Sequence, residues 1–505
     1  MEKRLILAIA LSLLILLSWS VLISKFQPIE NKEVKEKTAD SPILIPKQTP
    51  ISASQTEPAS SSLITLTQKN FEIIFVEPQA AIKEVIFKSY QSYKFPLQSG
   101  FLLGDKNLVF KKESITEKEA IFVYQDQDNR IIKRYHFPNS NYNIELEIEV
   151  QNLSHVPLSI NFPLTLGVLH FGGDQVQARF QDITVALPDK ILHLNARKES
   201  IFEKVKFLGL RDRYFCAVIE PESNDWDGFV RRVNPQESEI GLKSREVSLK
   251  PGQQIRQKFH IYLGPQELKL IKGIRPAWSA VMYYGTFNFI AQILLQFLEL
   301  LHSWVNNWGG VIVILSFSVY ILLFPLTLKQ MRSMKDMQAL QPTIEKLRET
   351  YKGNPQRLNK EIMELYRQHK VNPFGGCLPL VLQIPIFFAL YQVLMRSVAL
   401  KGAKFLWIKD LSAPDRLFML PISLPILGNE VNLLPILMSI GMFIQQKLST
   451  VATQGSYSEQ QKIMTIIFPI MFGFIFYHMP AGLVLYWFIN SLLMLLYQFR
   501  ISRIK

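Results

Sequence analysis

The chain is poor in the residues that enzymes and disulfide-stapled domains depend on. It has two cysteines, Cys216 and Cys377, in 505 residues. On the topology derived below they fall on opposite sides of a membrane, so no disulfide is expected. No G-x-x-x-x-G-K-[ST] loop and no H-E-x-x-H pair occurs, which leaves nucleotide hydrolysis and zinc proteolysis without their usual signatures. His136, His155, His170, His193 and His260 show no metal-ligand spacing and read as solvated or core side chains. No metal, cofactor or catalytic constellation is expected, although a sugar-handling enzyme remains open for the segment that carries these histidines. Asp and Glu are absent from the last five apolar runs, and no halves of matching hydropathy appear. Both absences count against an ion-coupled transporter, which needs intramembrane carboxylates.

What is present is apolar and basic. Hydrophobic residues make up 48% of the chain and the formal net charge is +14, with a positive mean hydropathy. On a soluble protein that surplus would suggest nucleic acid, but here it must first be set against the rule that cytoplasmic loops are basic. Lys3 and Arg4 precede an uncharged run from Leu5 to Ile23. The run exceeds a signal-peptide core and no A-x-A site follows, so residues 1–26 read as an uncleaved signal-anchor helix. Residues 27–62 are rich in Pro, Ser, Thr, Lys and Glu and read as a disordered linker.

Residues 63–265 change to a β pattern. In Tyr142 to Val150, Ile144, Leu146, Ile148 and Val150 alternate with Asn143, Glu145, Glu147 and Glu149, the period of a half-buried strand. Phe71 to Val76, Leu158 to Phe162 and Phe259 to Leu263 add similar runs, which predicts a large antiparallel sandwich. Lying beyond the first helix, this domain is expected to be exported. Residues 266–307 connect it onward. Within them Asn288, Gln292, Gln296, Glu299 and Ser303 form a narrow polar stripe, suited to a helix lying in the membrane interface, with Trp304 and Trp308 at headgroup level.

Residues 308–499 hold the remaining predicted spans, 308–328, 378–395, 432–446, 463–477 and 483–498. Between the first two, residues 329–370 carry ten basic side chains: Lys329, Arg332, Lys335, Lys346, Arg348, Lys352, Arg357, Lys360, Arg367 and Lys370. Apolar positions every three or four residues predict two amphipathic helices. Pro342 should kink or restart the first, and Asn354 and Pro355 should open the second. An ordinary hairpin with solvated charges accounts for this pattern, and a docking surface is a further expectation. Asn372, Pro373, Gly375 and Gly376 end one helix and start another, and Gln383 and Pro385 interrupt the next run. Counting Lys and Arg in short segments gives seventeen inside and five outside, so six spans with both termini inside satisfy the rule. Arg396, about 27 Å along its helix from Leu378 at 1.5 Å per residue, is expected to snorkel to outer headgroups.

Four stretches carry a resemblance. FPLTLKQMRSMKDMQALQP (Phe324 to Pro342), VNPFGGCLPLVLQIPIF from Val371, LWIKDLSAPD (Leu406 to Asp415) and PAGLVLYWFIN (Pro480 to Asn490) resemble the YidC/Oxa membrane-protein insertase family. The layout is similar to its Gram-negative YidC form. The likeness spans the chain and is richest in motifs from Trp304 onward. It implies an α-helical membrane protein of six transmembrane helices with a five-helix insertase core and a large periplasmic all-β super-sandwich domain. It also implies a non-enzymatic insertase of the bacterial inner membrane that acts alone or beside the Sec translocon. Its partners would be nascent membrane-protein substrates, the ribosome and the phospholipid bilayer. A groove open to cytoplasm and lipid would be capped by the cytoplasmic hairpin. A non-inserting scaffold of the translocon is the other reading of the same layout.

Polar residues within the spans are the candidates for lining such a groove: Ser316, Tyr320, Gln383, Gln445, Asn490 and Ser491. The resemblance implies a substrate slide at Ile384 and Pro385, then Ile470, Ile475 and Phe476. It also implies a groove arginine at the position occupied here by Tyr320, a departure that removes electrostatic capture of acidic tails. The tail 500–505 is short and basic, so ribosome contact is expected on the hairpin and on Lys447 to Lys462.

Overall fold

The computed structural model describes residues 62–503 apart from 105–107, 139–141, 162, 172–177, 224, 370, 372–377, 425–427 and 452–458. The expected signal-anchor helix, nearly all of the linker, Cys377, Lys370 and the Asn372–Gly376 break lie outside the described residues.

Strict alternation in the β half produces antiparallel sheets. The largest has nine strands in the order Ile191–Leu194, Asp182–Ala186, Phe207–Arg211, Phe215–Pro221, Gln254–Pro265, Asn143–Asn152, Asn129–His136, Glu119–Gln125 and Lys111–Ile115. In Asn143–Asn152 the predicted inward residues Ile144, Leu146, Ile148 and Val150 are all buried, while Glu145 is exposed. One four-stranded sheet comprises Leu63–Thr67, Phe71–Val76, Ala81–Phe87 and Tyr93–Gly100. It joins the nine-stranded sheet through rings, with Phe75 5.3 Å from Phe122 and 5.2 Å from Tyr135. A second comprises Pro163–His170, Glu237–Ser244, Trp226–Asn234 and Ser200–Phe202. His193 is half-buried, stacked 3.9 Å from Tyr283, its pKa pushed down to about 4 by burial and then by Arg211.

Lys133 is completely buried in the sandwich, where its Nζ donates to Ala80 O and Phe101 O at 2.6 Å each. Both acceptors sit in the left-handed region, at φ 45° and 61°, so the ammonium ties down two strained corners. Burial lowers its pKa to about 7, although the two carbonyls favour the charged form.

The C-terminal half is helical: α1 (Leu268–Ile274), α2 (Asn288–Trp304), α3 (Trp308–Ala339), α4 (Gln341–Thr350), α5 (Pro355–Gln368), α6 (Leu378–Arg396), α7 (Leu433–Val451), α8 (Glu459–Phe476) and α9 (Ala481–Arg503). α9 packs against α3, α6 and α7, and α8 packs on α7. α3 runs 32 residues without a break, roughly 48 Å at 1.5 Å per residue against a hydrocarbon core of about 30 Å. The boundary expected at Lys329 is therefore not a change of structure, because nothing between Leu328 and Ala339 stops a helix. The chain restarts at α4 with Pro342 in its first turn, and Asn354 caps α5 by accepting from the Arg357 N–H at 3.1 Å.

Arg396 corrects the sequence-based expectation. It is buried against the β domain, with Nη2 3.6 Å from Asp182 Oδ2 and its guanidinium 5.2 Å from the Phe180 ring. Length along the helix placed it at an end, but the folded β domain occupies that end and offers a carboxylate. Asp182 also pairs with Arg211 through Nε and, at 2.6 Å, through Nη2. Arg211 then donates to Val281 O and Tyr283 O at 2.8 and 2.6 Å. Nearby, Arg213 Nε donates to Met395 O at 2.7 Å, and Lys401 Nζ lies 4.1 Å over the Tyr93 ring. The β domain and the end of α6 thus share one buried polar joint.

Two outcomes follow from these groups. Asp182→Ala leaves Arg211 and Arg396 buried without their carboxylate and should cost about 3 kcal/mol, read as a lower thermal midpoint of the full-length protein in detergent, with Asp182→Glu losing less. For Lys133, a depressed basic pKa means the unfolded chain, with lysine near 10.4, holds the extra proton above the folded value. Stability of the β domain should therefore rise from about pH 7 toward pH 10, by at most about 1.4 kcal/mol per pH unit. Lys133→Met should flatten that rise, measured by hydrogen exchange over residues 129–136.

Candidate functional site

The helical bundle places its polar side chains by two different rules. Where a hydroxyl can reach the carbonyl one turn back, it does so: Ser316 to Ile312 O at 2.8 Å, Ser318 to Ile314 O at 2.9 Å, and Ser439 to Pro435 O at 2.8 Å. Each hydroxyl is thereby satisfied without water. Ser316 is fully buried.

The second rule joins helices. Gln383 on α6 donates its Nε2–H to Tyr486 Oη on α9 at 2.8 Å. Tyr486 is completely buried, and one turn on Asn490 Nδ2 donates to Tyr486 O at 2.8 Å, with Ser491 buried beside it in sequence. Tyr486 was not among the sequence candidates because a tyrosine in an apolar run reads as packing. Its place in the PAGLVLYWFIN motif, four residues before Asn490, was the available signal. Tyr320 on α3 differs from these candidates, since its hydroxyl is buried with no hydrogen-bond partner among the described residues. Its ring lies 5.8 Å from Phe324, which meets Tyr497 on α9 edge-on at 5.1 Å. Gln445 is half-buried on α7.

The expected slide residues divide. Ile384 and Ile470 are exposed at 43% and 52%, whereas Phe476 is 2% exposed in a ring cluster with Phe387 and Trp487 at 5.9 and 5.3 Å. Pro385 and Ile475 are half-buried. Pro385 and Pro469 sit inside α6 and α8, as Pro325 does inside α3, and each removes one backbone donor from its helix.

The LWIKDLSAPD stretch closes the end of the bundle next to the β domain. Asp415 accepts from the Leu434 N–H at 2.9 Å, placing a carboxylate on the first turn of α7, and from Trp407 Nε1 at 3.2 Å. Buried Asn432 donates to Tyr477 O at 2.8 Å, tying α7 to the end of α8. Gly309, at the start of α3, lies so close to Phe405 that any side chain there would meet its ring. On the hairpin of α4 and α5 and the α3 segment before it, Lys329, Arg332, Lys346, Arg348, Lys352, Arg357, Lys360 and Arg367 are all exposed. Nothing is described of the Lys335 side chain or of Lys370.

Among the described residues no three His, Cys, Asp or Glu side chains converge as metal ligands. The β domain has a surface cavity of about 400 Å³ lined by Phe171, Arg197, Arg232, Pro235, Gln236 and Ser238, a set without a carboxylate for acid–base work.

Comparison with known proteins agrees with both halves. Residues 300–505 match the family described as 60Kd inner membrane protein, and residues 83–297 match the YidC periplasmic domain. The membrane protein insertase YidC of Pelobacter propionicus is 30% identical over 557 residues, covering 100% of this chain and 99% of its own. That of Paraburkholderia xenovorans is 34% identical over 390 residues, covering 74% of this chain and 67% of its own. A crystal structure of an active YidC insertase with its first transmembrane domain resolved is 19% identical, covers 87% of this chain and 93% of its own, and superposes with a TM-score of 0.42. With a relative matched from end to end and a family match on each half, this chain belongs to the YidC family of membrane protein insertases.

Proposed function

We propose that this protein inserts and folds proteins of the bacterial inner membrane through a polar notch in its helical bundle, without hydrolysing nucleotide. It would have six spans, cytoplasmic termini and a periplasmic β domain. α3 over Trp308–Lys329 and α9 over Ala481–Arg500 are long and apolar enough to cross a bilayer, and Leu433–Leu448 and Ile466–Phe476 are shorter apolar stretches. α6, with 19 residues, reaches about 28 Å at 1.5 Å per residue. In this topology most of the basic surplus lies on the cytoplasmic side.

The observation that carries the proposal is the buried hydroxyl of Tyr320, which has no hydrogen-bond partner among the described residues, while the hydroxyls of Ser316, Ser318 and Ser439 bond their own helices. A polar atom left open in such an interior is where water or a client's polar group is received. Partition supplies the energy. A client helix gains about 0.3–0.6 kcal/mol per Leu-like residue on entering lipid, while each charge in its translocated tail costs about 2.5–3.5 kcal/mol at the centre. Short, lightly charged tails can therefore be carried across by the helix that follows them. Tyr320, Gln383, Asn490 and Ser491 lower the barrier by replacing lost water, with Gln445 nearer the cytoplasmic end. Ile384 and Ile470 offer the client an apolar path. The exposed basic side chains of the hairpin suit the ribosome, whose RNA surface is anionic, and the β domain is the surface for Sec components.

Replacing Tyr320 with Phe should slow insertion roughly threefold, the equivalent of about 0.6 kcal/mol, while leaving thermal stability equal or higher because an unpaired group is removed. The assay is insertion of a Sec-independent client into liposomes containing purified protein. Unchanged insertion would show the hydroxyl dispensable and remove the proposal's main support. Site-specific photocrosslinkers should label a nascent chain from Ile384 and Ile470 and not from Phe476. Labelling from Phe476 alone would place the client path inside the ring cluster instead.

A further inference from the structure

Between α6 and α7 lies a two-stranded hairpin, Phe418–Leu424 paired with Gly428–Val431, that neither the sequence pattern nor the insertase activity accounts for. Its first strand is almost uncovered. Leu417, Phe418, Met419 and Ile422 are 39%, 52%, 63% and 70% exposed. Consecutive strand residues point to opposite faces, so Phe418 and Met419 leave both faces of the ribbon apolar and open. The base, in contrast, is fixed. Arg416 Nε pairs with Glu430 Oε1 at 2.9 Å, Arg416 N–H donates to Asn432 Oδ1 at 3.0 Å, and Tyr477 Oη donates to Glu430 O at 2.7 Å. An anchored base thus presents an apolar strand, since Phe418 and Met419 pair with Val431 and Glu430.

We infer that this hairpin is a membrane-dipping element that sets the side chains of Phe418, Met419 and Ile422 among the acyl chains of the outer leaflet, beside α6 and α7. The inference rests on the proposed crossing of the bilayer by those two helices. Three observations select lipid as the occupant. The hairpin joins the ends of α6 and α7 that lie beside the β domain, and α7 continues the exposed apolar surface at Ile436 and Ile440. Exposed Lys404 and Lys409 lie in the same connection, with stems long enough to carry their ammonium groups to headgroup phosphates. Finally, a second copy pairing along the strand would need regular backbone donors, yet Pro421 has no N–H and the register is broken between Met419 and Leu424. The same open edge keeps the backbone at the headgroup boundary, because unpaired backbone groups are not tolerated in hydrocarbon.

An environment-sensitive fluorescent amino acid placed by stop-codon suppression at Met419, Ile422, Ile440 or Lys198 of the full-length protein, in liposomes with and without acyl-chain spin-labelled lipid, tests this. At Met419 and Ile422 the emission should shift blue and be quenched by the labelled lipid as strongly as at Ile440, with iodide quenching far below that at Lys198. Lipid quenching at Ile440 but not at Met419 or Ile422 overturns the hairpin inference and leaves the span of α7 intact. Its absence at all three overturns both. Protection at Met419 and Ile422 from iodide and from labelled lipid alike would mean that protein covers the strand, which also overturns it. Because each substitution lies on an exposed position, far-ultraviolet circular dichroism of each variant should match that of the parent.

Discussion

A buried charge must be paired, and the assembly of this molecule turns on one carboxylate that obeys this rule twice. Asp182 belongs to a sheet strand, Arg211 to the strand beside it, and Arg396 to the last turn of α6. Neither arginine could be left in this interior alone, since an uncompensated buried cation costs several kcal/mol. The sheet and the helix end therefore have one relative placement in which both cations are compensated. Arg213 and Lys401 extend the same joint with a backbone carbonyl and aromatic faces. Hydrophobic contact alone would tolerate sliding; directional bonds from guanidinium forks do not.

The helices solve the matching problem without charge. Hydroxyls at Ser316, Ser318, Thr327 and Ser439 turn back onto their own backbones, so they add polarity at no cost to neighbours. Gln383 and Tyr486 instead spend their hydrogen bond between helices, fixing α6 to α9. Internal prolines at 325, 385 and 469 then free carbonyls within three helices, which a membrane protein accommodates only where neighbours or water can reach them. The bundle thus combines a few fixed cross-links with deliberately incomplete backbone bonding.

Much of this architecture was legible. Alternation at Ile144 to Val150 gave a correct strand face because one face of an antiparallel sheet is buried and periodicity two records it. Asn354 followed by Pro355 gave a correct helix start because capping chemistry is local. Arg396 and Tyr486 were misread or missed for a common reason, namely that their partners, Asp182 and Gln383, lie far away in sequence. No window of residues can hold both ends of such a bond. The hairpin at 418–431 escaped because prolines at 421 and 425 and a continuous apolar run obscure the alternation that marks a strand. Polarity within apolar runs supplied the candidate groove as a set, and the structure gives its members different surroundings: Ser316 bonds its own helix, Gln383 bridges two helices, and the buried Tyr320 hydroxyl has no partner among the described residues.

That separation bears on how an uncharged site can serve translocation. Relatives with a groove arginine would attract an acidic tail but would also have to release it, and a cation in low dielectric holds its counter-ion strongly. A tyrosine hydroxyl offers a weaker, neutral bond that either a donor or an acceptor can satisfy. In the proposed mechanism such a site discriminates little among tails and retains none of them. The cost falls on highly charged tails, which gain nothing from Tyr320 to offset their desolvation. Under that proposal selectivity would shift from the groove to the client itself, whose own apolar length would have to outweigh the charge it carries across.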